Sequence, residues 1–271
     1  MTESYLLKEK RVKEIESEIR KYNMELTEYY RELHDRSDLD AIKNLANDRG
    51  YSEEFIKNLG VFLVRDSTEM LIPKYMDKLK YFGVIADNNR PIFTNRWVIP
   101  IFDEDGLVQN MVGYSKYEKE RYVYGTARYY SRRDTLYGLE NIREAFKLGY
   151  AIVTEGITDS WLYRSMGYIS SFANCGTHGN VSGVDLLNNL RYGVIVVPDR
   201  DNPGNKAYKR WKYDRKIRVN TSIAFKDSDE MCRGSDRNKD ILRMYIDECI
   251  EQLKLGSKGL GTKFEDEITV F

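Results

Sequence analysis

Cysteine is scarce in this chain. Cys175, Cys232 and Cys249 are too widely spaced for a C-x-x-C zinc site or a disulfide framework. That usage points to a reducing, cytoplasmic setting. No apolar stretch approaches the roughly 18 residues of a membrane span, and no secretory h-region is visible, so no membrane partner is expected. Net charge is absent as well: 43 basic residues balance 43 acidic ones. Any charge-driven partner must therefore be sought in local clusters. There is no internal repeat, and the glycine-rich stretch 256–263 lacks the G-x-x-x-x-G-K-[ST] spacing of a phosphate loop, so it reads as a linker. What is present suffices for a core: 41% of the 271 residues are apolar and 13% aromatic, enough for one large domain or two small ones.

Three acidic clusters stand out, each after or close to a short apolar run. Tyr150-Ala-Ile-Val-Thr154 leads into Glu155-Gly156, with Asp159 one turn on. Val194-Ile-Val-Val-Pro198 leads into Asp199-Arg200-Asp201, with Gly204 just after. Ile223-Ala-Phe-Lys226 leads into Asp227-Ser228-Asp229-Glu230. Runs rich in Val and Ile without alternation read as buried parallel strands. Parallel α/β sheets collect functional groups at the carboxyl ends of their strands, so the three clusters are expected to converge. Converging carboxylates need a cation, and hard oxygen ligands suit Mg²⁺ or Mn²⁺ with a phosphate as co-ligand. On a helix start, Glu155 and Asp159 share one face.

The rest of the chain frames these clusters. Residues 5–34 lack Gly and Pro and carry spaced apolar residues among Lys and Glu, predicting an amphipathic helix or helical hairpin. Two short helices are expected over 38–59, broken at Arg49-Gly50-Tyr51, with Ser52 as an N-cap. Trp97 to Phe102 and Leu107 to Val112 read as a hairpin turning at Asp103-Glu-Asp-Gly106. Residues 114–133 interleave Lys116, Lys119, Arg121, Arg128, Arg132 and Arg133 with Tyr114, Tyr117, Tyr122, Tyr124, Tyr129 and Tyr130. Such a stretch suits single-stranded nucleic acid, each stacked base being worth roughly 1–3 kcal/mol, or else forms a tyrosine-rich strand surface. From Tyr150 to about Phe225 strands and helices alternate as βαβ units require. A basic helix is expected between Gly204 and Arg218, a final helix over 238–255, and a polar tail over 256–271.

The ordered motifs resemble a known family. Glu155-Gly-Ile-Thr-Asp159 followed by Asp199-Arg-Asp201 and Gly204 resembles the TOPRIM domain of bacterial-type primases, topoisomerases and some nucleases. Leu136-Tyr-Gly-Leu139, Asn44 to Ile56, the hairpin from Arg96 to Gly106, Asn174-Cys-Gly-Thr177 and Lys226-Asp-Ser-Asp-Glu230 are similar to further motifs of DnaG-type primases, in the family's order, over about residues 40–235. Tyr114 stands where the family usually has a basic residue.

The resemblance implies an α/β fold. A helical segment over 1–37 and a basic α+β subdomain over 38–140 would precede a TOPRIM-type parallel-sheet domain over 141–235, with a helix and tail over 236–271. It implies an enzyme that copies single-stranded DNA into RNA primers from ribonucleoside triphosphates, with Mg²⁺ or Mn²⁺ held by Glu155, Asp159, Asp199, Asp201, Asp227 and Asp229. Glu155, Asp199 and Asp201 would be catalytic, and Arg96, Arg121 and Arg132 would contact nucleotide or template. Lys206 and Arg210 are added from their place after the second cluster. The family's zinc ribbon cannot be built from these cysteines with His34 and His178, so no zinc is expected, and a replicative helicase or a separate zinc-binding subunit is an expected partner in a bacterial or phage-infected cytoplasm. A TOPRIM nuclease and a non-catalytic module binding single-stranded DNA or a helicase remain alternatives.

Overall fold

The computed structural model describes residues 3–130, 135–175, 181–222, 224–257 and 264–270. The chain forms two compact units, Met1–Asn44 with Ile56–Ser131, and Leu45–Phe55 with Arg132–Phe271. The first takes in the N-terminal helix, and the second takes in the C-terminal helix and tail.

In the first unit, residues 3–34 form one helix, α1 (Glu3–His34), rather than a hairpin. The reason is an unbroken apolar seam: Tyr22, Leu26, Tyr29 and Leu33 recur at alternating four- and three-residue steps and are all buried. This seam packs with a four-stranded antiparallel sheet ordered β1 (Phe62–Val64), β2 (Arg96–Phe102), β3 (Val108–Tyr114), β4 (Tyr122–Tyr124). Thr27 Oγ1 accepts from the Val108 N–H at 2.8 Å, tying helix to strand. At the hairpin, Asp103 Oδ1 accepts from the N–H groups of Asp105 and Leu107, and Gly106 supplies the left-handed turn at φ 77°.

Most of the tyrosine-rich stretch is used for packing. Tyr129 lies edge-on to buried Tyr22 at 5.4 Å, and Tyr130 packs on the same cluster. Tyr114 is buried against Tyr122, while Tyr117 stands 86% exposed. Of the two readings, a packed tyrosine-rich surface describes Tyr114, Tyr129 and Tyr130. Two short helices follow α1, α2 (Leu39–Arg49) and α3 (Glu53–Asn58), and Ser52 Oγ caps α3 by accepting from the Phe55 N–H at 3.1 Å.

The second unit is built on a five-stranded parallel sheet ordered β6 (Ser171–Ala173), β5 (Tyr150–Thr154), β7 (Gly193–Val197), β8 (Arg215–Asn220), β9 (Phe264–Thr269). Around it run α4 (Ile142–Leu148), α5 (Ile157–Ser165), α6 (Val181–Leu187), α7 (Asn202–Arg210), α8 (Ser228–Cys232) and α9 (Asp236–Gly256). Strands β5 and β7 are buried along their whole length, as their Val/Ile runs require. The chain leaves β5 for β6 on one side and returns to β7 on the other. That switch opens a crevice at the carboxyl ends of β5 and β7.

Three expectations are corrected here. The basic helix ends at Arg210, and Arg215–Asn220 is strand β8. Its residues alternate: Ile217 and Val219 are fully buried on one face, while Lys216 and Arg218 lie over the Tyr208 ring at 4.2 and 4.8 Å on the other. The run before Asp227 is therefore not a strand: Ala224 to Asp227 is a turn between β8 and α8, and Ile223 lies outside the described residues. The polar tail is likewise not featureless. Residues 264–269 form β9, whose Glu265 pairs with Lys216 at 3.2 Å and whose Glu267 faces Arg218 at 4.0 Å. Residues 258–263, most of the expected linker, lie outside the described residues. No helix among the described residues is long and apolar enough to cross a membrane.

Candidate metal and nucleotide site

Strands β5 and β7 are parallel neighbours in register, with Thr154 opposite Val197. Glu155 therefore leaves the sheet beside the loop that carries Asp199. Gly156 starts α5, and a Cβ there would lie 2.6 Å from Asp159 Oδ2, so the absence of a side chain lets the Asp159 carboxylate fold back over the turn. Gly204 has the same role in the second cluster: a Cβ there would meet the Asp199 carbonyl oxygen at 2.1 Å. Asp201 caps α7, its Oδ1 accepting from the Gly204 N–H at 2.7 Å. Asp227 caps α8 in the same way, through the Glu230 N–H at 2.7 Å.

The carboxylates act on one another. Burial pushes Asp159 well above the usual carboxylate range, and the charges of Asp227, Asp199 and Asp229 push it further, with Arg49 opposing. Burial also raises Asp199. There the Lys226 ammonium, 2.7 Å from Oδ2, opposes the shift, while Asp227 and Asp201 add to it. Asp229 is bound more tightly still. It is 4% exposed and accepts from Arg49 Nη1 at 2.7 Å, Arg233 Nη2 at 2.5 Å and the Tyr51 hydroxyl at 3.1 Å. Arg49 is itself 5% exposed, so this is a buried ion pair between residues 180 positions apart.

The acidic set thus gathers at one end of the sheet: Asp159, Asp199, Asp201, Asp227 and Asp229 by their mutual fields, Glu155 by strand register. Among the described residues, no three acidic, histidine or cysteine side chains stand close enough to grip one ion as arranged. Lys226, Arg49 and the helix caps hold them instead. The donor chemistry nevertheless fits a hard divalent cation: the set is all carboxylate oxygen, and Asp159 carries unfavourable like-charge contacts that a cation relieves.

The basic residues divide. Lys206 and Arg210 are exposed on α7, directly after Asp201. Arg121 is exposed in the first unit. Arg96, also in the first unit, is 8% exposed, and its Nη1 donates to the carbonyls of Glu120 and Arg121 at 2.8 and 3.3 Å, so its guanidinium orders the entry to β4. Arg132, Gly176, Thr177 and His178 lie outside the described residues. His34 is half-buried, its ring against Tyr30 and Phe62. Leu136 to Leu139 proves structural: Tyr137 pairs with Ala173 at the sheet edge, and its hydroxyl accepts from Trp161 Nε1 at 2.9 Å. Sequence reading missed Arg49, Tyr51, Arg233 and Lys226 as parts of the site. The signal for Arg49, Tyr51 and Lys226 lay in the stretches that resemble DnaG-type primase motifs, Asn44 to Ile56 and Lys226 to Glu230, which carry these side chains without assigning them a role.

The site is thus a set of carboxylates beyond the carboxyl ends of β5 and β7, with the basic helix α7 following Asp201 directly. No protein-family model matches the chain. Over 143 residues, 51% of its length, it is 29% identical to the DNA primase of Aquifex aeolicus (strain VF5), and the match takes in 29% of that protein. The chain thus spans less than a third of the curated relative it matches. Among solved structures it is similar to a DnaG primase catalytic domain bound to single-stranded DNA, with TM-score 0.69, 17% identity and coverage of 89% of this chain and 83% of that one. It is also similar to the zinc-binding and RNA polymerase domains of the Aquifex aeolicus primase, with TM-score 0.68, 21% identity and coverage of 84% and 61%. The chain has the fold of the DnaG-type primase catalytic core.

Proposed function

We propose that the chain is the RNA polymerase core of a primase, joining ribonucleotides on a single-stranded DNA template. The observation that carries this reading is the gathering of Asp159, Asp199, Asp201, Asp227 and Asp229 at the β5/β7 crevice of a DnaG-type fold. The DNA primase name of the curated relative and the single-stranded DNA bound to the similar catalytic domain support it. In the reaction the 3′ oxygen of one nucleotide bonds to the α-phosphorus of the next, the bond to pyrophosphate breaks, and the hydroxyl proton passes to water. Glu155, Asp159, Asp199, Asp201, Asp227 and Asp229 would hold magnesium or manganese. When bound, the metal supplies charge neutralisation and Lewis-acid polarisation of the phosphoryl oxygens.

The residues of the chain do the positioning. Lys206 and Arg210 present cations to phosphate from α7, and Arg121 offers one to the template backbone. Arg96 and Arg132 were expected to contact nucleotide or template, Arg96 now acting through the backbone it orders. A replicative helicase or a separate zinc-binding subunit would complete the system in a bacterial or phage-infected cytoplasm.

The test is a gel of products from single-stranded DNA, labelled ribonucleotides and Mg²⁺ or Mn²⁺, with Asp201→Asn as control. Asparagine keeps the α7 cap while removing the charge, so the fold survives. Short RNA oligomers lost in the variant are the expected result. Template degradation would replace this reading with a nuclease, and a fully active variant would remove Asp201 from the site.

A further inference from the structure

Lys226 has a place that the acidic set does not explain. Its ammonium is 2.7 Å from Asp199 Oδ2, and Asp227 and Asp201 also act on it. Its backbone is clamped on both sides: the Lys226 N–H donates to Glu230 Oε2 at 2.8 Å, and its carbonyl accepts from the Arg200 N–H at 2.7 Å. The first bond comes from α8 and the second from the loop carrying Asp199 and Asp201, so the Cα is fixed where the two acidic clusters meet. The side chain itself is half exposed, whereas Asp199 is only 14% exposed. A buried carboxylate is thus matched with a cation on a flexible four-carbon stem that reaches solvent.

We propose that Lys226 is the exchangeable counter-cation of this site. With no metal bound, its ammonium neutralises Asp199. With metal bound, Asp199 is released to the metal, and the ammonium, tethered at the mouth of the crevice, pairs with the phosphates of the incoming nucleoside triphosphate. The charges favour such an exchange. An ammonium and a divalent ion at one carboxylate repel each other, so a bound cation weakens the Lys226 pair, and a lysine displaced from Asp199 still faces a crevice that a polyanion must enter. This inference rests on the reading of the acidic set as a metal site.

The experiment measures Mn²⁺ binding by titration calorimetry, first alone and then as the Mn²⁺–ATP complex, on the full chain and on Lys226→Met, Lys226→Arg and Asp199→Asn. Lys226→Met should bind Mn²⁺ alone about three- to fivefold more tightly, because the competing cation is gone. It should bind Mn²⁺–ATP several-fold more weakly, and Lys226→Arg should restore both. A merely structural lysine would not move the two affinities in opposite directions. Lys226→Met binding Mn²⁺ no more tightly than the unmodified chain, while Asp199→Asn loses Mn²⁺, would overturn the exchange and leave the metal site standing. Asp199→Asn retaining full Mn²⁺ binding would overturn the metal-site reading and the exchange with it.

Discussion

Replacing Arg49 with methionine isolates the most deeply buried charge pair among the described residues of the second unit. Arg49 Nη1 lies 2.7 Å from Asp229 Oδ2, with the two side chains 4% and 6% exposed. Removing one partner of such a pair strands the other charge in a poorly solvated place, at a cost of about 3–5 kcal/mol. Two contacts soften the loss. Arg233, 2.5 Å from the same oxygen, and the Tyr51 hydroxyl at 3.1 Å both remain. The low end is therefore expected, about 3 kcal/mol, or a melting shift of about 6–12 °C.

The assay is calorimetric melting of wild type, Arg49→Met, Asp229→Leu and Arg49→Met/Asp229→Leu at about pH 7. The double variant should recover part of the loss, because the buried carboxylate is gone as well and Arg233, which also pairs with it, is half exposed. The exposed pair Arg243–Asp240, at 46% and 71%, is the control: Arg243→Met should move the melt by no more than about 2 °C. A melting shift for Arg49→Met as small as that control, or a double variant whose loss is the sum of the two single losses, would refute the reasoning.

Two further predictions concern packing. Gly204→Ala puts a methyl group against the Asp199 backbone, 2.1 Å from its carbonyl oxygen and 2.8 Å from its carbonyl carbon. A stability loss of about 1–3 kcal/mol, with weakened Mn²⁺ binding, is expected, and an unchanged melt would show that the loop yields freely. Tyr22→Ala removes a fully buried ring that lies edge-on to Tyr81 at 4.9 Å and to Tyr129 at 5.4 Å, costing about 3–5 kcal/mol in urea unfolding. Tyr117→Ala at its 86% exposed site should leave the unfolding midpoint where it was, and an equal effect of the two changes would contradict the packing described.

Local chemistry was legible wherever it acts over a few residues. The Val/Ile runs of β5 and β7 announce buried parallel strands because a strand covered on both faces has no solvent side to mark with polar residues. The Asp103–Gly106 turn and the Ser52 cap are read from residues that bond their own neighbours. The acidic clusters were legible because each follows such a run or closes a turn beside it. Strand β8 was hidden by its charge. Lys216 and Arg218 look like a solvated helix face until Tyr208 beneath them and Glu265 and Glu267 beside them are known. Strand β9 was hidden for the matching reason, its acids being explained only by a basic neighbour nearly 50 residues earlier.

The sequence by itself determined the alternation of elements, the parallel sheet and the acidic clusters beside it, because these follow from periodicity and from caps. Only the tertiary structure decided what each charge does. It pairs Asp229 with Arg49 across 180 residues, sets Lys226 on Asp199, turns Arg96 onto backbone carbonyls, and spends Tyr129 and Tyr130 on the core around Tyr22. The physical reason is that an ionic or aromatic side chain acquires its role from its partner. Such partners are chosen by the packing of distant elements, which no local pattern records.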